Sequence, residues 1–494
     1  MTALWLVLIP IITVFLLVVL FGAAFYVISR RLAQRAEAAM GDPPQRTLWE
    51  MLFTLRAHSI SSLLVTMQRA ESAHPAEHPM GSPVHPDWLG QIGFDPATFA
   101  PPPLGREVAD LSVALGPVSQ RPLVLSMPIL IAPMGYGIGL SAETKVALAQ
   151  AASLASIAIV SGEGPFLPEE RAYAQKWVLQ ESRGSWAHQP AVRQQADMIE
   201  LQWGQASEGG KRVVKKLRDL PARAQRAMGG RALIEAAPVR LEDWVSQVRS
   251  ERADCPLGVK IPATNHLETD LAYLCTLGVD VITLDGAGAG SAGSPTVISD
   301  HFGVPTALAA HRAHRWMQAQ GVRSRVSLVV SGGIHGAADI ARLLAVGADA
   351  VMVGTELLFA LLHEQVAETI FRVPPTQLAF ARSSSNQAPR INTHQSSEHA
   401  INWLEATREE LKMVLRTTGT TSLEEFRRLR PLTARTPEAA RLFDLRFDGN
   451  PQKPGNLADS VGELVASYQQ LNAILASLVG GGGSGSVGRP RYRQ

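Results

Sequence analysis

Three aliphatic runs in the middle of this chain stop abruptly at glycine, and nothing else in it restricts the fold as much. They are Ile131-Ala132-Pro133-Met134-Gly135, Val330-Ser331-Gly332-Gly333-Ile334 and Val351-Met352-Val353-Gly354-Thr355. Each reads as a buried strand that ends at a tight corner and is followed by a helical pattern. The last two stand about one strand–helix unit apart, the spacing at which a (βα)8 barrel uses its seventh and eighth strand ends to hold a phosphate. Glycine suits such corners because a phosphate needs bare backbone N–H groups and a Cβ would block its approach. The pattern points to a phosphate-bearing ligand.

Alternating strand and helix signals surround these corners. Strands are expected near 129–133, 156–161, 176–180, 196–202, 256–261, 279–285, 326–331 and 349–353. Ser141-Ala142-Glu143-Thr144 resembles an N-cap opening a helix that runs to Leu154, and residues 336–345 carry the apolar spacing of another. Eight strands with helices between them favour a closed parallel barrel over an open sheet. The fold class is therefore α/β, a (βα)8 TIM barrel with helical extensions at both ends. Ahead of it, Leu111-Ser112-Val113-Ala114-Leu115, a Gly116-Pro117 turn and Leu123-Val124-Leu125 read as a hairpin that closes the bottom of the barrel. The expected organisation is an anchor over 1–30, a helical connector and Pro-rich loop over 31–105, the barrel over 106–372, a helical extension over 373–479 and a disordered tail over 480–494.

Residues 4–28 form an apolar stretch of 25 without a charged side chain. That length spans a bilayer core of about 30 Å. Arg30, Arg31 and Arg35 follow at once and no Lys or Arg precedes it, so the positive-inside rule places the barrel in the cytoplasm, tethered to the inner membrane by a single-pass helix. The excess apolar length and the missing basic leader weigh against a cleaved signal peptide. The formal net charge of +2 is too balanced for a nucleic-acid binder. Two cysteines, Cys255 and Cys275, cannot make a four-thiolate metal or iron–sulfur site, so no such cluster is expected. His74, His78 and His85 lack paired ligands at a helical or turn spacing, and a solvated loop is the reading preferred there.

The order of the motifs resembles the FMN-binding synthase domain of the glutamate synthase family, especially its stand-alone, membrane-anchored members. The resemblance runs from about residue 128 to residue 361. Ala132-Pro133-Met134-Gly135-Tyr136-Gly137 resembles the first strand end, whose backbone faces the flavin ring, and Ser161-Gly162-Glu163-Gly164 the second. Gln202 and Glu208-Gly209-Gly210 follow the fourth strand, Gly258-Val259-Lys260 ends the fifth, and Asp285-Gly286-Ala287-Gly288-Ala289-Gly290 ends the sixth. The resemblance implies FMN as cofactor, with Pro133, Met134, Gly135, Ser161, Gln202, Lys260, Gly332, Gly333, Gly354 and Thr355 around it. Lys260, Glu163 and Asp285 are the catalytic candidates. A cation at Lys260 would stabilise the anionic edge of reduced flavin, whereas an ordinary lysine at a strand rim is the alternative. Glu163 either bonds flavin or substrate or caps a turn. Asp285 with its glycine run is either a substrate loop or a plain flexible one, and His335 either touches the phosphate or lies on the surface.

Two departures from the family qualify the function. Its members carry cysteines just after the last barrel strand, where this chain has Leu361-Leu362-His363-Glu364-Gln365-Val366, and a lysine before the Glu-Gly-Gly turn, where it has Gly204-Gln205-Ala206-Ser207-Glu208. A 2-oxo-acid carboxylate usually needs a fixed positive partner. No glutaminase domain is expected either, so ammonia and electrons would come from separate partners. The leading expectation is an FMN-dependent oxidoreductase acting on an amino acid/2-oxo acid (imine) pair. The alternative is a membrane-tethered flavin-binding barrel without glutamate synthase turnover. A hydroxy-acid oxidase would need a histidine where Asp285-Gly286 stands.

Overall fold

The structure is a computed structural model. It describes residues 20–31, 34, 60–72, 77–78, most of 81–98, 109–369 except 138, 183–188, 207–219, 221, 228–239 and 291–293, and 391–447. The chain divides into two compact units, residues 1–76 and 77–494. In the first, residues 20–31 and Ile60–Ser72 are helical. Among the described residues no helix is long and apolar enough to cross a membrane, and most of the expected span over 4–28 lies outside them.

The second unit is built on eight parallel strands: β1 Ile129–Ile131, β2 Ala158–Val160, β3 Trp177–Glu181, β4 Met198–Gln202, β5 Leu257–Pro262, β6 Val281–Asp285, β7 Ser327–Ser331 and β8 Ala350–Val353. They pair in chain order and close on themselves, β8 lying beside β1. All eight expected strands are present, including the one around Trp177-Val178-Leu179. Helices alternate with them: α1 Ala142–Leu154, α2 Pro168–Tyr173, α3 Pro190–Arg193, α4 Leu241–Glu251, α5 Leu267–Thr276, α6 Thr306–Ala319, α7 Ala337–Ala345 and α8 Thr355–Leu361. The strands read as nearly unbroken apolar runs because both faces are covered. One set of side chains, including Ile131, Ile159, Leu201, Ile282 and Leu328, packs outward on the helices. The alternate set, including Leu130, Val160, Val178, Met198, Val281, Val329 and Met352, fills the interior. The expected N-cap at α1 is in place, with the Ser141 side chain accepting the Thr144 N–H, and Gly336 precedes α7.

The bottom of the barrel is closed as the sequence suggests. Val113–Leu115 and Leu123–Leu125 form an antiparallel hairpin. Its inward residues Val113, Leu115, Leu123 and Leu125 join the interior cluster, so the hairpin is a plug. Gly116 turns it at φ +65, where a Cβ would stand 2.7 Å from the Pro256 ring, and its N–H donates to Ser327 Oγ at 3.1 Å.

The C-terminal part extends the same core. Helix α9, Thr393–Thr417, is capped by the Asn392 side chain and lies against α1, α7 and α8, burying Ala400, Leu404, Leu411 and Leu415. Ser422 caps the helix Leu423–Leu429, its side chain accepting the Glu425 N–H. A small sheet joins Leu432–Ala434 to Ile92–Phe94 and Arg446–Phe447. The end of the expected helical extension, from residue 448 on, and the tail at 480–494 lie outside the described residues.

Candidate active site

Strand alternation sorts the barrel interior into a dry lower half and a polar mouth. In β4 the inward residues are Met198, then Glu200, then Gln202. In register with them stand Gly258 and Lys260 of β5, and Lys260 is paired with Thr283 of β6. Gln180 of β3 sits beside Glu200, and Asp285 of β6 beside Ser331 of β7. Gln180, Glu200, Gln202, Lys260, Thr283, Asp285 and Ser331 are all buried, so their polar atoms must find partners in one another or in a ligand.

Most of them do. Gln180 Nε2 donates to Glu200 Oε1 at 2.8 Å and Thr283 Oγ1 donates to Glu200 Oε2 at 2.6 Å. Lys260 Nζ lies 3.2 Å from Asp285 Oδ1, which also accepts from Ser331 Oγ. The Ala206 N–H donates to Asp285 Oδ2 at 3.0 Å, so this carboxylate ties β5, β6, β7 and the loop after β4 together. Burial pushes the Glu200 carboxyl above the ordinary glutamate range, although the Lys260 charge pulls it back. One atom stays without a partner. Gln202 Oε1, at the end of β4 and in register with Lys260, is buried with no hydrogen-bond partner among the described residues.

The glycine corners differ in their surroundings. At the β1 and β2 ends they permit backbone contact. A Cβ on Gly135 would stand 2.6 Å from the Gly164 N, and one on Gly162, at φ +78, would stand 2.4 Å from the Gly135 N. The room that a side chain would take at Gly135 is filled by the next loop. Pro133, Met134 and Ser161 flank this seam, half-buried. Ser161 Oγ accepts from the Gln180 N–H, and its carbonyl accepts from Lys145 Nζ at 3.0 Å. Lys145 itself is fully buried in α1 and ion-paired with buried Glu170 at 3.0 Å.

Beyond the β7 end the space opens at Gly333, whereas a Cβ on Gly332 would stand 2.8 Å from the Gly286 carbonyl oxygen and one on Gly354 3.3 Å from the Ala132 Cβ. Gly333 takes φ +64 and nothing lies within 4 Å of where its Cβ would be. Among the described residues neither its N–H nor that of Gly354 donates a hydrogen bond. Gly354 and Thr355 sit one strand over at the start of α8, and the β7–β8 pairing ends at Ser331 and Met352, just before these corners. Gly332, at φ +106, has its carbonyl held by Thr306 Oγ1 at 2.8 Å. His335 points its Nδ1 to Glu356 Oε1 at 2.8 Å and is mostly exposed. Glu163 lies half-buried in the turn that packs on Gly135. The loop after β6 begins at Gly286, packed on Thr306, and Glu208-Gly209-Gly210 lies outside the described residues.

The structure thus brings Lys260, Gln202 and Asp285 together, with Gly332 and Gly333 following β7 and Gly354 and Thr355 following β8. Sequence reading missed Glu200, Gln180 and Thr283. The signal was available, because Glu200 falls between Met198 and Gln202 in strict alternation and so must face the same interior.

A profile described as a conserved region in glutamate synthase matches residues 109–421, more than half of the chain. The chain belongs to the glutamate synthase family. It is 33% identical over 271 residues to a glutamate synthase large subunit-like protein of Rhizobium meliloti (strain 1021), covering 52% of this chain and 60% of that one. Against an archaeal-type glutamate synthase (NADPH) of Thermotoga neapolitana it is 27% identical over 343 residues, covering 66% and 67%. This glutamate synthase family member therefore spans about three-fifths to two-thirds of the length of these curated relatives. Among solved structures it is similar to a flavocytochrome b2 variant, with a TM-score of 0.49 at 13% identity over 72% of this chain and 80% of that one.

Proposed function

We propose that the chain is an FMN-dependent oxidoreductase of the glutamate synthase type, working on an amino acid/2-oxo acid (imine) pair. The observation that carries this reading is the pairing of a buried ammonium, Lys260, with the unpartnered Gln202 Oε1 beside it. An orphaned acceptor at that depth costs about 1–3 kcal/mol unless a ligand donor meets it, and an imide N–H of a flavin ring is such a donor. The other end of the ligand fits the open Gly333 corner, where a Cβ-free backbone and the start of α7 suit a phosphate. FMN, when bound, supplies two-electron exchange with the substrate carbon.

The protein groups then have distinct tasks. The buried Lys260 would hold a positive charge beside the cofactor and so stabilise the negative charge that its reduction brings. Asp285 fixes the Lys260 ammonium, and Ser331 and the Ala206 N–H hold Asp285 in turn. Met134, Pro133 and Gly135 line the strand end that the ring would face, and Ser161 ends β2 beside them. Glu163, in the turn packed on Gly135, would be the acidic group for contact with a substrate amine. We infer further that residues 4–28 tether the enzyme to the inner membrane with the barrel in the cytoplasm. Electrons or ammonia would come from separate proteins, and no iron–sulfur cluster is expected.

Purified protein should be yellow and release FMN on denaturation. After anaerobic reduction, addition of 2-oxoglutarate with ammonium should reoxidise it. Colourless protein that takes up no FMN would remove the reading altogether. A second reading, a flavin-binding barrel without this turnover, draws support from the absence of cysteine after β8 and of lysine in 204–208. It predicts bound FMN that the 2-oxo acid and ammonium leave reduced. Lys260→Ala should make bound flavin harder to reduce, and a midpoint potential unchanged by it would take Lys260 out of the mechanism.

A further inference from the structure

Three potential metal ligands converge where α8 hands over to the C-terminal helices. A short helix, His363–Thr369, follows α8 directly, and α9 runs beside α8. His363 and Glu364 on the first and His399 on the second each offer one ligand atom, and these atoms all lie within 4.8 Å of one another. The two imidazole rings meet edge to face, with centroids 4.4 Å apart at 88°.

One contact within this group discriminates between an ordinary polar cluster and a ligand set. His399 Nε2 lies 3.2 Å from Glu364 Oε1, close enough for a hydrogen bond. The geometry of a hydrogen bond is nevertheless not met, and Nε2 is a buried atom with no hydrogen-bond partner among the described residues. Two electron-rich atoms at this separation that do not bond one another suit a shared third atom. With metal–ligand bonds of about 2.0–2.1 Å, neighbouring ligands in a tetrahedral site stand roughly 3.3 Å apart. The carboxylate is also braced from outside, because Gln395 Nε2 donates to Glu364 Oε1 at 2.7 Å. Such outer contacts fix the orientation of a ligating carboxylate.

We propose that His363, Glu364 and His399 form a binding site for a divalent transition-metal ion, with zinc the best match. Two neutral imidazoles and one carboxylate are nitrogen and oxygen ligands of the borderline kind that zinc prefers over magnesium or calcium. Three protein ligands leave a fourth position for water. The ion joins the segment that follows the last barrel helix to α9, so its role is to clamp the C-terminal extension onto the barrel. The site is independent of the flavin reading, since it shares no residue with the mouth.

The test uses the full chain, stripped with a chelator, dialysed and titrated with zinc sulfate against a chromophoric competitor. The expected result is one zinc per chain and a thermal midpoint that rises with zinc. Because His363 is exposed, His363→Ala should leave the fold intact by circular dichroism while weakening zinc binding by roughly tenfold or more. Glu364→Gln, which keeps the shape and removes the charge, should weaken it similarly. Cobalt in place of zinc should give visible absorption of tetrahedral intensity that both variants lose. No saturable zinc binding by the parent, or binding of unchanged strength in either folded variant, overturns the proposal.

Discussion

The two halves of the barrel interior are made by the same strands and obey opposite rules. The lower half is a dry cluster in which Leu115 and Leu125 of the hairpin meet Met198, Val281 and Val329. Above it, one inward step further along β4, β5 and β6, stand Glu200, Lys260 and Thr283, and then Gln202 and Asp285. Below, apolar area removed from water is what holds the elements together. Above, each charged group needs a partner, and one acceptor, Gln202 Oε1, has none among the described residues. The floor is therefore finished by the chain itself, whereas the mouth is finished by something that binds there.

That contrast predicts separable effects, and the largest lies at the floor. Leu115→Ala opens a cavity under the barrel and should cost about 2–5 kcal/mol in denaturant unfolding. Flavin content per folded molecule should stay at the parent value, and its loss in still-folded protein would show that floor and mouth are not independent. A smaller cost in stability is expected at the rim. Gly333→Ala places a side chain at φ +64, a penalty of about 1–2 kcal/mol, without steric clash. Its main effect should be weaker retention of FMN, read by equilibrium dialysis, and unchanged retention would move the phosphate elsewhere.

The smallest effect should come from within the mouth. Burial raises the Glu200 carboxyl above its ordinary range, with Lys260 only partly offsetting this. The folded protein therefore keeps a proton there that the unfolded chain has already released. Stability from this group is then lost as pH rises from the ordinary glutamate value through the raised one. Glu200→Gln keeps an acceptor for the Gln180 amide and removes the titration. It should lose no stability at neutral pH and flatten the dependence above about pH 4.5, as measured by thermal midpoints across pH. A variant that follows the parent's pH dependence would show that Glu200 is ionised and satisfied in the fold.

Much of this architecture was legible in the residues. The eight strands, the hairpin plug, the Ser141 cap and the α7 start at Gly336 all follow from local patterns, because alternation, turn residues and capping act over a few positions. The glycine corners were legible as corners, but not by purpose. Gly135 and Gly333 look alike in the chain, yet one is filled by the Gly162–Gly164 loop and the other faces open space. The buried Lys145–Glu170 pair gave no sign of itself, since its two charges come from α1 and α2 and read locally as solvent-facing residues. Likewise the adjacent His363 and Glu364 are far along the chain from His399, and only the packing of two helices makes the three neighbours.

Local sequence determined which segments would become strands, helices and turns, and strand periodicity fixed that Glu200, Lys260 and Asp285 face inward. Closure of the barrel decided which inward groups meet, which acceptor is left without a donor, and which glycine is open. Those outcomes depend on distances between residues far apart in the chain, and such distances exist only once β8 has paired with β1.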